Sequence, residues 1–160
     1  MNDEIDQAIL TRLQRDASPS IEELAAAVNL SRNACWRRIK QMEASGLIKA
    51  RVALLDASKL NVGLTAFIAL KATEHSSAWL TRFSKAVKDI PEIIGAYRMT
   101  GDIDYLLIAM IPDVAAYDEL YKRLIDKVAL ADVSSSFVME EIKATTALPL
   151  QYMSRKRKSA

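Results

Sequence analysis

The stretch Ser18–Gly46, SPSIEELAAAVNLSRNACWRRIKQMEASG, decides how the rest of the chain is read. It opens with Ser20-Ile-Glu-Glu23, a capping box: a serine followed three residues later by a glutamate, each able to satisfy a free amide of the other at a helix start. Leu24, Ala27 and Val28 then form a buried side, with Ala25 and Ala26 allowing close approach. Asn29-Leu30-Ser31 is a turn, since asparagine tolerates the left-handed conformation and serine caps the helix that follows. That next helix spans about Arg32 to Ala44, and Gly46 stops it. Two short helices joined by a tight turn, the second one cationic, are built to lie in the major groove of double-stranded DNA.

The second helix divides its residues by side. Cys35, Ile39 and Met42 fall at i, i+4 and i+7 and point inward. Arg32, Asn33, Trp36, Arg37 and Lys40 are left outside. Residues near the start of such a helix, Ser31 included, meet base edges, and flanking cations meet phosphates. Arg38 lies between the two sides, within reach of the wing or of a phosphate. Trp36 either packs at the domain edge or touches DNA. Leu47-Ile-Lys49-Ala-Arg51-Val52 alternates apolar with basic or small residues and reads as a wing strand, bringing Lys49 and Arg51 to the same surface. Two capped helices with a basic side are also compatible with an ordinary bundle. Cys35 reads as a small core residue.

Charge supports the nucleic-acid reading. The net charge is only +2. From Met1 to Leu30, however, the acids Asp3, Glu4, Asp6, Asp16, Glu22 and Glu23 face only Arg12 and Arg15. From Ser31 to Arg51 the bases Arg32, Arg37, Arg38, Lys40, Lys49 and Arg51 face only Glu43. A sign change that sharp within one small domain points a basic face at a polyanion. Before it, Ile5, Ile9, Leu10 and Leu13 recur at helical spacing, which predicts an amphipathic helix over about Asp3 to Arg15, capped by Asn2 or Asp3.

The 160 residues suffice for one ordinary domain or two small ones. No apolar run approaches the ~20 residues that span a bilayer, so no membrane is expected. The acidic start is unlike a secretory signal, and a single cysteine fits a reducing cytoplasm. One cysteine and one histidine leave no nitrogen/sulfur metal cluster. With no phosphate-cradling glycine loop and no nucleophile–base pair, neither a cofactor nor an enzyme is implied.

After a linker at residues 53–63 the pattern changes. Leu64–Lys71 is strand-like. Ser76 or Ser77 caps a helix carrying Trp79, Leu80, Phe83, Val87 and Ile90. Ile93–Met99 and Tyr105–Ile111 are strands about a turn at Thr100-Gly-Asp102. Asp113 caps a helix with Tyr117, Leu120, Tyr121, Leu124 and Ile125, and a last strand runs from Val133 to about Ala144. The order βαββαβ is ferredoxin-like. Both helices cover one face of the antiparallel sheet, so its apolar other face is expected to bury against a second subunit. The fold class is α+β: a winged helix-turn-helix over 1–52, a ferredoxin-like domain over 64–150, and a basic tail over 151–160. Arg155-Lys-Arg-Lys158 in that tail is expected to be solvated, with weak DNA contact as the other reading.

In ordered combination these pieces resemble the leucine-responsive/asparagine-type (Lrp/AsnC) transcriptional regulators. The match runs from Ile5 to Leu150 through IDQAILTRLQRDA, ELAAAVNLS, CWRRIKQMEASGLI, KARVALLD, YRMTGDIDYLLIAMIPDVAAYDEL and SSSFVMEEIKATTALPL. The resemblance implies an N-terminal domain that binds DNA. It implies a C-terminal domain that pairs into homodimers, commonly assembled into octameric rings, and a free amino acid bound as effector near the strand–turn–strand motif. The residues matching that motif are Thr100, Gly101, Asp102, Asp104 and Tyr105, with Ser135 on the last strand. Chemically, Asp104 can meet an ammonium, and turn amides around Gly101 with a hydroxyl can meet a carboxylate. Alternatively, Asp102 and Asp104 only cap the turn. Where many members have proline this chain has Ala34, which leaves the first turn of the reading helix less rigid. The Cys35-Trp36 pair and Val52-Ala-Leu-Leu-Asp56 most resemble the branch responsive to cysteine. The competing function is an architectural protein that wraps DNA without a small ligand.

Overall fold

A computed structural model describes residues 3–153. The chain divides into two compact units, one made of residues 3–54 with 143–153, the other of Leu55–Ile142.

The first unit holds α1 (Glu4–Leu13), α2 (Ile21–Ala27) and α3 (Arg32–Ala44). Each starts on the cap its sequence offers. Asp3 accepts the Asp6 amide, and Ser31 accepts that of Ala34. Ser20 and Glu23 form the complete reciprocal box, with Glu23 Oε2 2.7 Å from the Ser20 nitrogen. Ile9, Leu10, Leu24, Ala25, Cys35, Ile39 and Met42 make the core. Fully burying an aliphatic side chain contributes about 1.5–3 kcal/mol, so these few residues set the packing of all three helices. Leu150 and Met153 also pack against this core, so part of the expected tail and the stretch before it complete the N-terminal unit. Arg155-Lys-Arg-Lys158 lies outside the described residues.

The expected wing strand is not formed: residues 47–52 carry no strand. Gly46 takes a left-handed φ of 74°, and the Ile48 amide then donates back to the Met42 carbonyl at 3.1 Å. An amide near the start of the expected strand is thus used to close α3. Val52 and Leu54 are left 74% and 73% exposed.

The second unit holds β1 (Leu64–Ala72), α4 (Ser77–Lys88), β2 (Ile93–Arg98), β3 (Tyr105–Ile111), α5 (Val114–Ile125) and β4 (Leu130–Phe137). The sheet is antiparallel throughout, in the order β2-β3-β1-β4. Ser76 and Asp113 cap the two helices as read from the sequence. Ala66, Ile68 and Leu70 of β1 and Tyr105, Leu107, Ala109 and Ile111 of β3 join Trp79, Phe83, Ala86, Leu120 and Leu124 of the helices in one core. The alternate residues, Phe67 and Ala69 with Leu106, Ile108 and Met110, form the opposite face and are only partly buried or exposed. The last strand ends at Phe137 rather than near Ala144, because Val138 makes the final ladder bond, to Thr65, and β1 begins there. Among the described residues no helix is long and apolar enough to cross a membrane, and no group of His, Cys, Asp or Glu could hold a metal ion.

Candidate DNA-reading surface and effector turn

The turn between α2 and α3 follows from its residues. Asn29 adopts φ 54°, and the Leu30 amide donates to the Ala25 carbonyl at 2.9 Å. Ala34 supplies the amide that Ser31 caps, at 3.3 Å. A proline there would have no such donor, so the first turn of α3 is secured by a hydrogen bond instead of a ring.

Beyond the cap, α3 separates its sides as expected. Cys35, Ile39 and Met42 are buried, and burial pushes the Cys35 thiol up, away from a reactive thiolate. Arg32, Asn33, Arg37 and Lys40 are exposed, and so is Trp36, at 53%. The cations are not equally free. Arg32 pairs closely with Glu22 of α2. Lys40 and Arg51 both hold Glu43, at 2.8 and 3.2 Å. That carboxyl stays below its ordinary range, first through the Lys40 hydrogen bond and then through both positive charges. Arg37 and Lys49 form no ion pair among the described residues.

Arg38 departs from the sequence reading. Its Nη1 lies 2.7 Å from Asp6 Oδ1 and 2.9 Å from Asp3 Oδ2, so the guanidinium is directed at α1 rather than at the wing or outward. The reason is its position: between the two sides of α3, it reaches the carboxylates at the start of α1 before it reaches solvent.

In the second unit the turn between β2 and β3 carries Thr100, Gly101 and Asp102, all exposed. Gly101 has φ 103° with open space where a Cβ would stand, so the turn needs glycine for its backbone and not for room. Asp104 is held on both sides. Its amide donates to the Leu70 carbonyl at 2.9 Å, and its own carbonyl accepts from Met99 at 2.8 Å. Its Oδ2 accepts the Ala72 amide at 2.8 Å, at the irregularity between Lys71 and Ala72 where β1 loses register with β4. Asp104 therefore does pin the turn to the end of β1. Its other oxygen, Oδ1, lies 3.7 Å from His75 Nε2.

The remaining two effector candidates are placed elsewhere. Tyr105 is buried against Phe83 and Trp79, with ring centroids 4.5 and 5.5 Å away, because β3 turns it toward the helices. Ser135 shares a close hydrogen bond with the Tyr117 hydroxyl of α5, on the helix-covered face of β4. His75 lies in the loop between β1 and α4, which brings it beside Asp104. No local pattern announces this contact, since 29 positions separate it from Asp104.

Comparison with known proteins identifies both units. The model of the AsnC-type helix-turn-helix domain matches residues 3–43, and that of the Lrp/AsnC ligand binding domain matches residues 65–148. The chain is 47% identical to the DNA-binding transcriptional activator DecR of Escherichia coli over 152 residues, covering 94% of this chain and 100% of that one. The crystal structure of an AsnC family transcriptional regulator from Agrobacterium tumefaciens superposes with a TM-score of 0.92 at 51% identity, covering 94% and 99% of the two chains. A transcriptional regulator from Neisseria meningitidis, solved as a complex with L-Met, superposes with a TM-score of 0.90 at 36% identity, covering 94% and 98%. With a helix-turn-helix unit in front of a ligand-binding unit and relatives that share both along their whole length, this chain belongs to the Lrp/AsnC family and is a DNA-binding transcriptional regulator, not an enzyme.

Proposed function

We propose that the regulator reads double-stranded DNA through the outer side of α3, with Ser31, Arg32, Asn33, Trp36, Arg37 and Lys40 at the duplex and Lys49 and Arg51 on flanking phosphates. The observation that carries this is the clean division of α3: its apolar residues are locked in the core while Trp36 and Arg37 stand free. A free amino acid bound at the Thr100–Asp104 turn modulates that reading in the cytoplasm. In support, Asp104 has an oxygen not used by the strand, on a turn with open space around Gly101, which suits a zwitterion. The L-Met complex of the Neisseria meningitidis regulator shows that such a relative takes an amino acid. Tyr105 packs on Trp79 and Phe83 and Ser135 is held by Tyr117, so both serve the helix-covered side rather than the effector turn. Homodimers form through the open sheet face and assemble further, to an octamer.

The test is a thermal-shift screen of the full chain with the twenty amino acids, followed by gel shift with and without any hit. A ligand that binds the native state raises its apparent stability. A hit that also changes DNA affinity supports the reading. Indifference to all twenty, with steeply salt-dependent DNA binding, would favour the architectural alternative. L-cysteine in the screen tests the branch that Cys35-Trp36 suggests.

A further inference from the structure

We propose that Arg38 is a positioning residue for DNA reading: it contacts no DNA, and it fixes the setting of α3 against α1 so that the outer side chains meet the right bases. The inference rests on α3 being the reading helix and adds what holds it in register.

Three observations carry it. First, Arg38 Nη1 reaches two carboxylates at once, Asp6 Oδ1 at 2.7 Å and both Asp3 oxygens at 3.0 and 2.9 Å. Second, the two acids tie it to a defined place. Asp6 has a side chain only 4% exposed and is the one buried charged residue among the described residues. Asp3 is at the same time the N-cap of α1, its Oδ1 accepting the Asp6 amide at 2.9 Å. The same few atoms therefore define where α1 starts and where the middle of α3 lies. Third, the guanidinium is outnumbered by the carboxylates it faces, so its charge is neutralised inside the unit and adds nothing to the basic outer side.

Such a fork is needed because the rest of the α1–α3 contact is apolar. Ile9, Leu10, Cys35, Ile39 and Met42 exclude water but specify rotation and sliding only loosely. A directional charge cluster with its Asp6 arm buried specifies register, which is the best-attested role of buried ion pairs. Base readout depends on register and phosphate attraction much less.

The experiment uses the full chain and two probes: a duplex selected by the wild type from a random library, and a random-sequence duplex of the same length. Binding is measured over a salt series, well below each variant's melting temperature. Arg38→Gln is expected to lower affinity for the selected duplex about tenfold, comparable to one misread base pair. Its affinity for the random duplex and its salt slope should match the wild type. Asp6→Asn and Asp3→Asn should act in the same direction. Asp3→Asn preserves the fold if Asp6→Asn does not, because asparagine still caps α1. A phosphate contact predicts the reverse: Arg38→Gln would cut the salt slope by about one unit, and either Asn variant would free the cation and tighten binding. Either result overturns the proposal, as does an equal loss on both duplexes, the mark of a merely destabilised unit, or no loss on either. Arg37→Ala run beside them separates this failure from a wrong reading helix: if it too changes nothing, α3 does not read DNA.

Discussion

The side-chain amide of Gln14 holds the main chain of Leu148 at both ends: the Leu148 amide donates to Gln14 Oε1 at 2.9 Å, and Gln14 Nε2 donates to the Leu148 carbonyl at 3.1 Å. The segment beyond β4 thus returns to the end of α1, and Leu150 and Met153 follow it onto the N-terminal core. Gln14→Ala should therefore destabilise the DNA-reading unit by about 1–2 kcal/mol, two exposed hydrogen bonds with little more. Replacing Leu150 by serine should cost more. Chemical denaturation of the full chain checks both, and unchanged midpoints would show that the returning segment is not part of the folded unit.

Glu43 restrains two of the cations offered to DNA. Glu43→Gln should release Lys40 and Arg51 and raise DNA affinity, with the salt slope steeper by up to one or two units. Arg37→Ala should do the opposite, weakening binding and lowering the slope by about one unit with little change in melting temperature. A salt series by fluorescence anisotropy reads both; a slope unmoved by either substitution would place the phosphate contacts elsewhere.

Asp104 serves the strand as well as the proposed effector, so two substitutions are needed to separate its roles. Asp104→Ala leaves the Ala72 amide without its acceptor, and should lower both stability, by about 1 kcal/mol, and amino-acid affinity. Asp104→Asn keeps an oxygen for that amide but no charge for an ammonium. It should melt like the wild type and still bind at least about tenfold more weakly, a loss of about 1.4 kcal/mol. Calorimetric titration with the amino acid chosen by the screen is the check. Equal affinity in the Asn variant would confine Asp104 to the turn.

The open sheet face should determine assembly. Ile108 stands between Leu106 and Met110 on β3, with Phe67 opposite it on β1. Ile108→Asp should drive the protein toward monomer in sedimentation velocity, because a carboxylate there cannot be buried against a partner without a counter-charge. Asp at Ser136, also on this face but on the polar outer strand, should have a smaller effect. A wild type that sediments as a monomer at micromolar concentration contradicts the proposed dimer.

Acid should weaken the DNA-reading unit in a defined direction. Asp3 titrates below its ordinary range because it accepts the Asp6 amide and faces Arg38. Glu23 does so because it accepts the Ser20 amide, and Glu43 chiefly because of Lys40. A carboxyl depressed by folding adds stability above its unfolded value, and that stability is lost as pH falls through the lower folded value. Stability should thus be level near neutrality and fall below about pH 4. Glu23→Gln should lower the melting temperature at pH 7 and have no effect near pH 3, followed by circular dichroism. A difference of equal size at both pH values would mean that the charge of Glu23 contributes nothing to the cap.

What the sequence determined by itself was local. The capping box at Ser20 and Glu23, the left-handed Asn29, the caps Ser31, Ser76 and Asp113 and the stop at Gly46 act within a turn of chain, and each is in place. Periodicity also separated the inner from the outer side of α3, since burial follows the geometry of one element at a time. The tertiary structure decided what depends on distant partners. Arg38 found acids 32 and 35 positions away, Ala72 found Asp104 32 positions on, and Gln14 found Leu148 134 positions on. Ser135 and Tyr105 were turned to the helix side by the register of β4 and β3. The wing failed for the same reason: residues 47–52 have strand character, but a strand forms only beside another, and Ile48 was already bonded to α3.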